Sequence, residues 1–310
     1  MKILAVDDLH NSFETELRKH GHEVEYKLDL STTSALIKII NEYDALVVRS
    51  KFYISKEIVD VLPRGFIVAR AGAGMDNIDE QYALEKGVRL INAPEGNRDA
   101  VAEHVIGLLI TSYRNILKSD SEIRTRKWLR EENRGIELKG KTIGIIGFGN
   151  TGSSLAKKLS GFEMRILAYD KYLSKIEHSG IEQVSLKVLK EESDIISMHV
   201  PLTSETCHML NAEFFNSLRR KPFIINASRG KVIETSELVK AIKFGKILGA
   251  ALDVLENEKF ESYNTADNEW FADLLSSPRV IMTSHIAGWT QESYRRISEV
   301  LVQKLLQSQV

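Results

Sequence analysis

The segment Lys141-Thr-Ile-Gly-Ile-Ile-Gly-Phe-Gly-Asn-Thr-Gly-Ser-Ser-Leu-Ala constrains the fold more than any other stretch of the 310 residues. An apolar run, a glycine-rich turn and a helical pattern follow one another, and Gly147, Gly149 and Gly152 make G-x-G-x-x-G. Gly147 permits the tight turn, Gly149 lets backbone approach a pyrophosphate, and Gly152 allows close packing of helix on strand. The helix that follows points its amide-rich, partly positive end at the phosphates. Asp170 stands eighteen positions after Gly152, at the end of the run Arg165-Ile-Leu-Ala-Tyr. A carboxylate there hydrogen-bonds ribose hydroxyls and repels a 2′-phosphate, so the pattern points to NAD rather than NADP. Lys171 beside it is the feature that favours NADP, and a flavin or nucleotide-sugar domain is the alternative for the glycine turn.

The rest of the chain alternates short β-rich runs with helical patterns. Strands are expected at Lys2–Val6, Val24–Lys27, Ala45–Val48, Phe66–Arg70 and Arg89–Ile91. Others are expected at Thr142–Ile146, Arg165–Tyr169, Ile195–Met198, Phe223–Asn226, Leu248–Leu252 and Val280–Thr283. Helical patterns include Asn11–Lys19, Thr33–Asn41, Val101–Ser119 and Ser236–Phe244. Such alternation gives an α/β fold with parallel sheets and helices on both faces. Because the dinucleotide pattern begins in mid-chain, a nucleotide-binding domain is expected to start there, with a separate smaller domain before it. Residues 1–95 with 286–310 form a discontinuous substrate-binding domain, and residues 96–285 the NAD-binding domain. A second glycine turn, Arg70-Ala-Gly-Ala-Gly-Met-Asp-Asn, lacks the third glycine and a following long helix. It reads as a turn that brings backbone close to a ligand, or as a purely structural turn.

A net charge of −1 implies neither nucleic acid nor an acidic membrane as partner. Cys207 is the single cysteine, which fits a reducing compartment and a structural role rather than a metal site with His208. No signal peptide is read at the N-terminus, and no run approaches the roughly 18 apolar residues of a membrane span. A cytoplasmic enzyme without metal is the expectation.

Hydride transfer needs a cation to polarise the carbonyl oxygen and an acid to protonate the alkoxide. Three strand ends offer such groups. Ile224-Ile-Asn-Ala-Ser-Arg-Gly presents Arg229, whose planar fork suits a carboxylate. Gly249-Ala-Ala-Leu-Asp-Val-Leu-Glu-Asn-Glu presents Asp253, Glu256 and Glu258. Val280-Ile-Met-Thr-Ser-His ends at His285, and a glutamate partner would raise its pKa so that it holds a proton near neutral pH. Each group has an ordinary structural alternative as well: a surface arginine, a solvated acidic loop, a satisfied histidine.

Taken together, these stretches resemble the D-isomer-specific 2-hydroxyacid dehydrogenases over nearly the full length. The likeness is greatest to short D-3-phosphoglycerate dehydrogenases. It is carried by Val48-Arg-Ser, Ala69-Arg-Ala-Gly-Ala-Gly-Met-Asp-Asn-Ile-Asp, Asn92-Ala-Pro-Glu-Gly-Asn and Val101-Ala-Glu-His. The glycine turn, His199-Val-Pro-Leu-Thr, Asn226-Ala-Ser-Arg-Gly, Ala251-Leu-Asp-Val and His285-Ile-Ala-Gly-Trp complete it. The resemblance implies that Arg229 binds the substrate carboxylate and polarises the keto oxygen. His285 is then the acid/base and Glu258 its partner, Glu256 lying off the family register. Phe148, Asn150 and Thr151 belong to the cofactor turn, and Asp253 holds the nicotinamide carboxamide. His199, Val200 and Pro201 lie beneath the adenosine. Ala227 and Ser228 line the nicotinamide side, and Ala287 and Gly288 complete the cofactor set.

For substrate, the resemblance implies Arg49, Ser50, Arg70, Ala71, Gly72 and Asn97, with Arg130 lent by the partner of a homodimer. It also implies a fold of two Rossmann-like domains with the active site in the cleft between them, and NAD-dependent oxidation of D-3-phosphoglycerate to 3-phosphohydroxypyruvate in serine biosynthesis. The ending at residue 310 leads to the expectation that no C-terminal regulatory domain is present and that serine does not inhibit through one. The chain departs from the family pattern at Ser50-Lys-Phe-Tyr, at Glu234, at Ser284 and over Lys259–Leu275, without losing a catalytic group. Reduction of glyoxylate, hydroxypyruvate or another unphosphorylated 2-keto acid is the alternative activity, and an NAD(H)-sensing corepressor-like protein the alternative class.

Overall fold

The computed structural model describes residues 1–308 and their side chains except that of Ala266. The chain forms two compact units, one of Met1–Arg98 with the C-terminal segment from Trp289, the other of Asp99–Gly288.

The first unit is built on five parallel strands, β1 (Lys2–Ala5), β2 (Glu23–Tyr26), β3 (Ala45–Val48), β4 (Ile67–Arg70) and β5 (Arg89–Asn92), in the order β2-β1-β3-β4-β5. Parallel strands buried on both faces read as continuous apolar runs, which is the pattern of Ala45-Leu-Val-Val. Alternate residues supply two apolar layers: Leu4, Leu46 and Val68 on one face, Ile3, Ala45 and Ile67 on the other. The C-terminal helix Gln291–Gln307 belongs to the second layer through Leu301, Val302 and Leu305. Lys304 locks it in place, Nζ donating to the Glu95 carboxylate at 2.9 and 3.0 Å.

The second unit carries seven parallel strands: β6 (Thr142–Ile146), β7 (Arg165–Tyr169), β8 (Ile181–Gln183), β9 (Ile195–Met198), β10 (Phe223–Asn226), β11 (Gly249–Leu252) and β12 (Val280–Met282). Their order is β12-β11-β10-β9-β6-β7-β8. The strand sequence therefore reverses direction between β6 and β9, and in open parallel sheets ligands bind outside the carboxyl ends at such a switch point. Ile143, Ile145 and Ile225 enter one apolar layer; Ile146, Ile196 and Ile224 enter the other.

Two local expectations are corrected. The strand β8 is absent from the expected set because Ile181-Glu-Gln lies at the sheet edge, with no buried residue to mark it. The helix expected over Val101–Ser119 begins earlier, at Pro94, and ends at Tyr113. Proline is preorganised for a first helical position. Asn115, with φ of 52°, then breaks the helical path before a new helix starts at Ile116; asparagine is among the few residues that adopt the left-handed region readily. Among the described residues no helix is long and apolar enough to cross a membrane.

Gly249 sets the spacing at one end of the sheet, since a Cβ there would lie 2.2 Å from the Arg279 carbonyl oxygen. Gly249→Ala must push β11 from the segment entering β12. It should lower the unfolding free energy by about 1–3 kcal/mol, read as an earlier midpoint in urea unfolding; an unchanged midpoint would show that the sheet yields there at no cost.

Candidate active site

The glycine turn leaves β6 at Gly147, whose φ of 90° lies in the left-handed region. A Cβ there would also lie 2.6 Å from the His199 carbonyl oxygen, so the turn packs against the end of β9. Gly152 is filled by its own turn, 2.1 Å separating a built Cβ from the Gly147 carbonyl. Gly149 differs: a Cβ there meets nothing within 4 Å. Neither its conformation nor its packing calls for glycine, and the open space beside it is where a ligand can approach backbone. Gly149 is also the N-cap of the helix Asn150–Leu159 and supplies no side-chain cap to the first amides. An anion answers both the unpaired N–H groups and the helix dipole. The residues therefore fit a dinucleotide.

Asp170 braces this turn. Its Oδ2 accepts from Phe148 N–H at 2.8 Å, and its Oδ1 from Tyr172 and Leu173 N–H at 2.9 and 3.2 Å. Oδ2, which accepts one bond, keeps a lone pair for a ribose hydroxyl. Lys171 is turned to Glu205, Nζ lying 2.6 Å from both carboxylate oxygens, so this cation has an acidic partner at the position where a 2′-phosphate would need it. His199 is buried and burial pushes its pKa down to about 4, leaving a neutral ring. That ring bridges Ser197 Oγ, 2.8 Å from Nε2, and Thr151 Oγ1, 3.2 Å from Nδ1, tying β9 to the cofactor turn. Val200 is half-buried and Pro201 exposed beside it.

Arg229 follows β10 through a turn held by Asn226, which is fully buried. Asn226 Oδ1 accepts from Ser228 N–H and Oγ–H at 3.0 and 2.8 Å, and its Nδ2 donates to the Arg229 carbonyl at 2.9 Å. Ala227 lies half-buried in this turn. Gly230 brings the same turn against the loop after β11, since a Cβ would lie 1.7 Å from the Leu255 carbonyl oxygen. That loop carries both glutamates. Glu256 is engaged elsewhere, with Oε1 2.7 Å from His208 Nε2 and Oε2 accepting from Thr235 N–H at 2.9 Å. Glu258 Oε2 lies 3.0 Å from His285 Nδ1, so Nε2 is the ring nitrogen that Glu258 does not engage. The Glu258 hydrogen bond raises the His285 pKa above its ordinary value; desolvation opposes it, the Glu258 and Asp253 charges support it, and the Arg229 charge opposes it.

His285 itself sits at φ of 56°, a conformation that costs a non-glycine residue about 1–2 kcal/mol. Asp253 holds it there. The Asp253 carbonyl accepts His285 N–H at 2.8 Å, and its carboxylate accepts from Ile286 and Ala287 N–H at 2.9 and 2.8 Å and from Thr283 Oγ1 at 2.6 Å. Burial works to raise the Asp253 pKa, but bonds from His104, Thr283, Ala287 and Ile286 hold it below the ordinary carboxylate value. Gly288 closes the second unit just past this turn.

Asn226, Thr283 and His104, which support the candidate groups, are not marked by the strand-end pattern. A buried asparagine at a strand end and a threonine two residues before a histidine were the only cues.

In the first unit, Arg49 follows β3 directly and Arg70 ends the neighbouring β4, where Val48 and Arg70 are register partners. The Arg49 guanidinium lies 4.9 Å from the Trp289 ring centroid and 5.1 Å from that of Tyr294, and donates to the Asp8 carbonyl at 2.8 Å. Gly72 makes room for Arg70: a Cβ there would lie 1.5 Å from Arg70 Nη1. Ala71 is buried, its N–H donating to Val48 at 2.8 Å, and Ser50 is exposed. Asn97 Oδ1 is buried without a hydrogen-bond partner, a cost that a bound donor would remove. Arg130, in the second unit, lies with Arg114 and Arg134 around a separate hollow of about 430 Å³.

Residues 106–287 match the model of the D-isomer specific 2-hydroxyacid dehydrogenase NAD binding domain. The chain belongs to the D-isomer-specific 2-hydroxyacid dehydrogenases. These are NAD-binding oxidoreductases. Among relatives, it is 36% identical to a D-3-phosphoglycerate dehydrogenase of Archaeoglobus fulgidus, over 99% of this chain but only 57% of that protein. It is 38% identical to a hydroxypyruvate reductase of Thermotoga maritima, over 94% of this chain and 93% of the relative. The fold is similar to the D-lactate dehydrogenase of Aquifex aeolicus complexed with NAD and lactic acid, with a TM-score of 0.82 and 28% identity over 99% of this chain and 94% of the other.

Gly149, unlike Gly147 and Gly152, separates folding from binding. Gly149→Ala should leave the melting temperature unchanged yet weaken NADH binding about tenfold or more, measured by quenching of protein fluorescence. Unweakened binding in a folded Gly149→Ala protein would mean that no phosphate approaches that backbone.

Proposed function

We propose that the chain catalyses NAD-linked oxidation of D-3-phosphoglycerate to 3-phosphohydroxypyruvate, with Arg229, Glu258 and His285 as the catalytic set. The observation that carries the chemistry is the His285–Glu258 pair, 3.0 Å apart, in the electrostatic presence of Arg229. Bound NAD supplies the acceptor for the hydride that leaves carbon 2. His285 Nε2 takes the hydroxyl proton, and Glu258 stabilises the imidazolium that results. Arg229 holds the carboxylate and draws charge onto the developing keto oxygen. In reduction His285 returns the proton.

The cofactor would be held by Gly147, Phe148, Gly149, Asn150, Thr151 and Gly152, with Asp170 at the ribose. His199, Val200 and Pro201 would lie near the adenosine, with Ala227, Ser228, Asp253, Ala287 and Gly288 near the nicotinamide. The first unit is assigned substrate binding through Arg49, Ser50, Arg70, Ala71, Gly72 and Asn97, and Arg130 is assigned to the partner's site in a homodimer. What supports a phosphorylated acid is the pair Arg49 and Arg70 on neighbouring strand ends, because a phosphate is bound best by two or three directed donors. A role in serine biosynthesis in the cytoplasm goes with that substrate.

A second reading, reduction of hydroxypyruvate or glyoxylate, keeps the same catalytic set. It is favoured by the match to the hydroxypyruvate reductase along 93% of its length and by the hold of Trp289, Tyr294 and Asp8 on Arg49.

NADH consumption with 3-phosphohydroxypyruvate, hydroxypyruvate and glyoxylate in parallel decides between them. The phosphorylated acid should have the highest kcat/KM, and Arg49→Ala should lower it about tenfold or more while sparing glyoxylate. Equal or better rates with an unphosphorylated acid would overturn the substrate and keep the catalytic set.

The pH profile follows from the raised pKa. Reduction needs protonated His285, so its rate should be full at low pH and fall as pH rises through a value above 6.5. Oxidation needs the neutral ring and should rise through the same region. Glu258→Gln should move both limbs to lower pH; limbs that stay in place would remove Glu258 from the assignment.

A further inference from the structure

His104 lies on the helix Pro94–Tyr113, far in sequence from the catalytic groups, within the Val101-Ala-Glu-His stretch. Its Nε2 is 3.1 Å from Thr283 Oγ1 and 3.5 Å from Asp253 Oδ1. Thr283 Oγ1 donates onward to the same Asp253 oxygen at 2.6 Å. The Asp253 side chain has no solvent exposure, whereas His104 keeps 21%. A carboxylate so enclosed must be stabilised by donors, and each donor it loses is costly because water does not replace it.

From Asp253 the connection continues to Ile286 and Ala287 N–H and, through its carbonyl, to His285 N–H. The left-handed conformation of His285 persists only while these bonds hold it.

We infer that His104 is a positioning residue for the reaction: it donates from Nε2 to Thr283 and Asp253, and so steadies the turn that aims His285. This rests on His285 being the acid/base. His104 does not touch substrate. With hydrogen on Nε2 it polarises the Thr283 hydroxyl, whose bond to Asp253 strengthens in turn. Asp253 then keeps its charge and its grip on the two amides, and His285 stays opposite Glu258. The charged groups facing His285 are Glu258 and Asp253, both from the loop at the end of β11, and Arg229 from the end of β10. His104 acts on His285 through Asp253.

The test uses the full chain, wild type beside His104→Ala, His104→Gln and Thr283→Val. The titration of the His285 ring is followed by side-chain nitrogen NMR, and kcat and KM are measured for keto-acid reduction. His104→Ala should lower kcat about tenfold, leave the KM for NADH unchanged, and move the His285 titration to lower pH. His104→Gln places an amide donor at similar reach and should restore most of both. Thr283→Val, which cuts the same connection at its middle, should behave as His104→Ala does and serves in its place if that variant does not fold. A His285 titration that superimposes on wild type in the folded variants would overturn the inference, as would glutamine and alanine failing equally. Should the wild type turn over no 2-keto acid, the proposed function fails, and the titration still decides the place of His104.

Discussion

A parallel sheet delivers every strand to the same edge, and the candidate site exists because of that constraint. In the second unit β6, β7, β9, β10, β11 and β12 all end on one side. Residues scattered from Gly147 to His285 thereby reach one rim without any long loop. The strand order reverses between β6 and β9, and there the glycine turn packs against His199. Buried, apolar strands keep the rim rigid, so the groups at their ends are placed by the core rather than by their own loops.

Rigidity at the rim is bought with buried polar groups, each satisfied internally. Asn226 holds the Arg229 turn, His199 ties β9 to Thr151, and Asp253 ties the end of β11 to the turn after β12. These groups would destabilise the fold if unpaired, because a buried donor or acceptor without a partner costs about 1–3 kcal/mol. Paired, they hold a histidine in a backbone conformation it would otherwise leave.

Much of this was legible in sequence, for a physical reason. Strands such as Thr142–Ile146, Ile195–Met198 and Phe223–Asn226 are buried on both faces, so burial imprints an uninterrupted apolar run whose end is visible where polar residues begin. The same contrast marked Arg229, Asp253 and His285 as strand-end groups. The edge strand Ile181–Gln183 left no such imprint. Asn115 hid the end of a helix because its left-handed turn interrupts no hydrophobic pattern. The partner of His285 was beyond spacing alone: Glu256 is nearer its strand, yet it is drawn to His208 and the Thr235 amide, and Glu258 faces the histidine. Nor does Gly72 serve only an incoming ligand, because Arg70 itself fills the space that the missing side chain leaves.

The electrostatics around His285 are balanced rather than one-sided. Glu258 and Asp253 favour the imidazolium, while Arg229 and desolvation oppose it. The outcome is a raised affinity for the proton, led by the Glu258 hydrogen bond. A reversible proton carrier needs an affinity near the working pH, since its two directions draw on opposite protonation states. In the proposed reaction Arg229 stays close because the substrate carboxylate and the developing oxygen charge require a cation there. Glu258 then has a task beyond orienting the ring: it offsets the arginine's field at Nδ1. Removing either charge should therefore shift the histidine in opposite directions, which ties the acid/base assignment to the pair of charges rather than to the histidine alone.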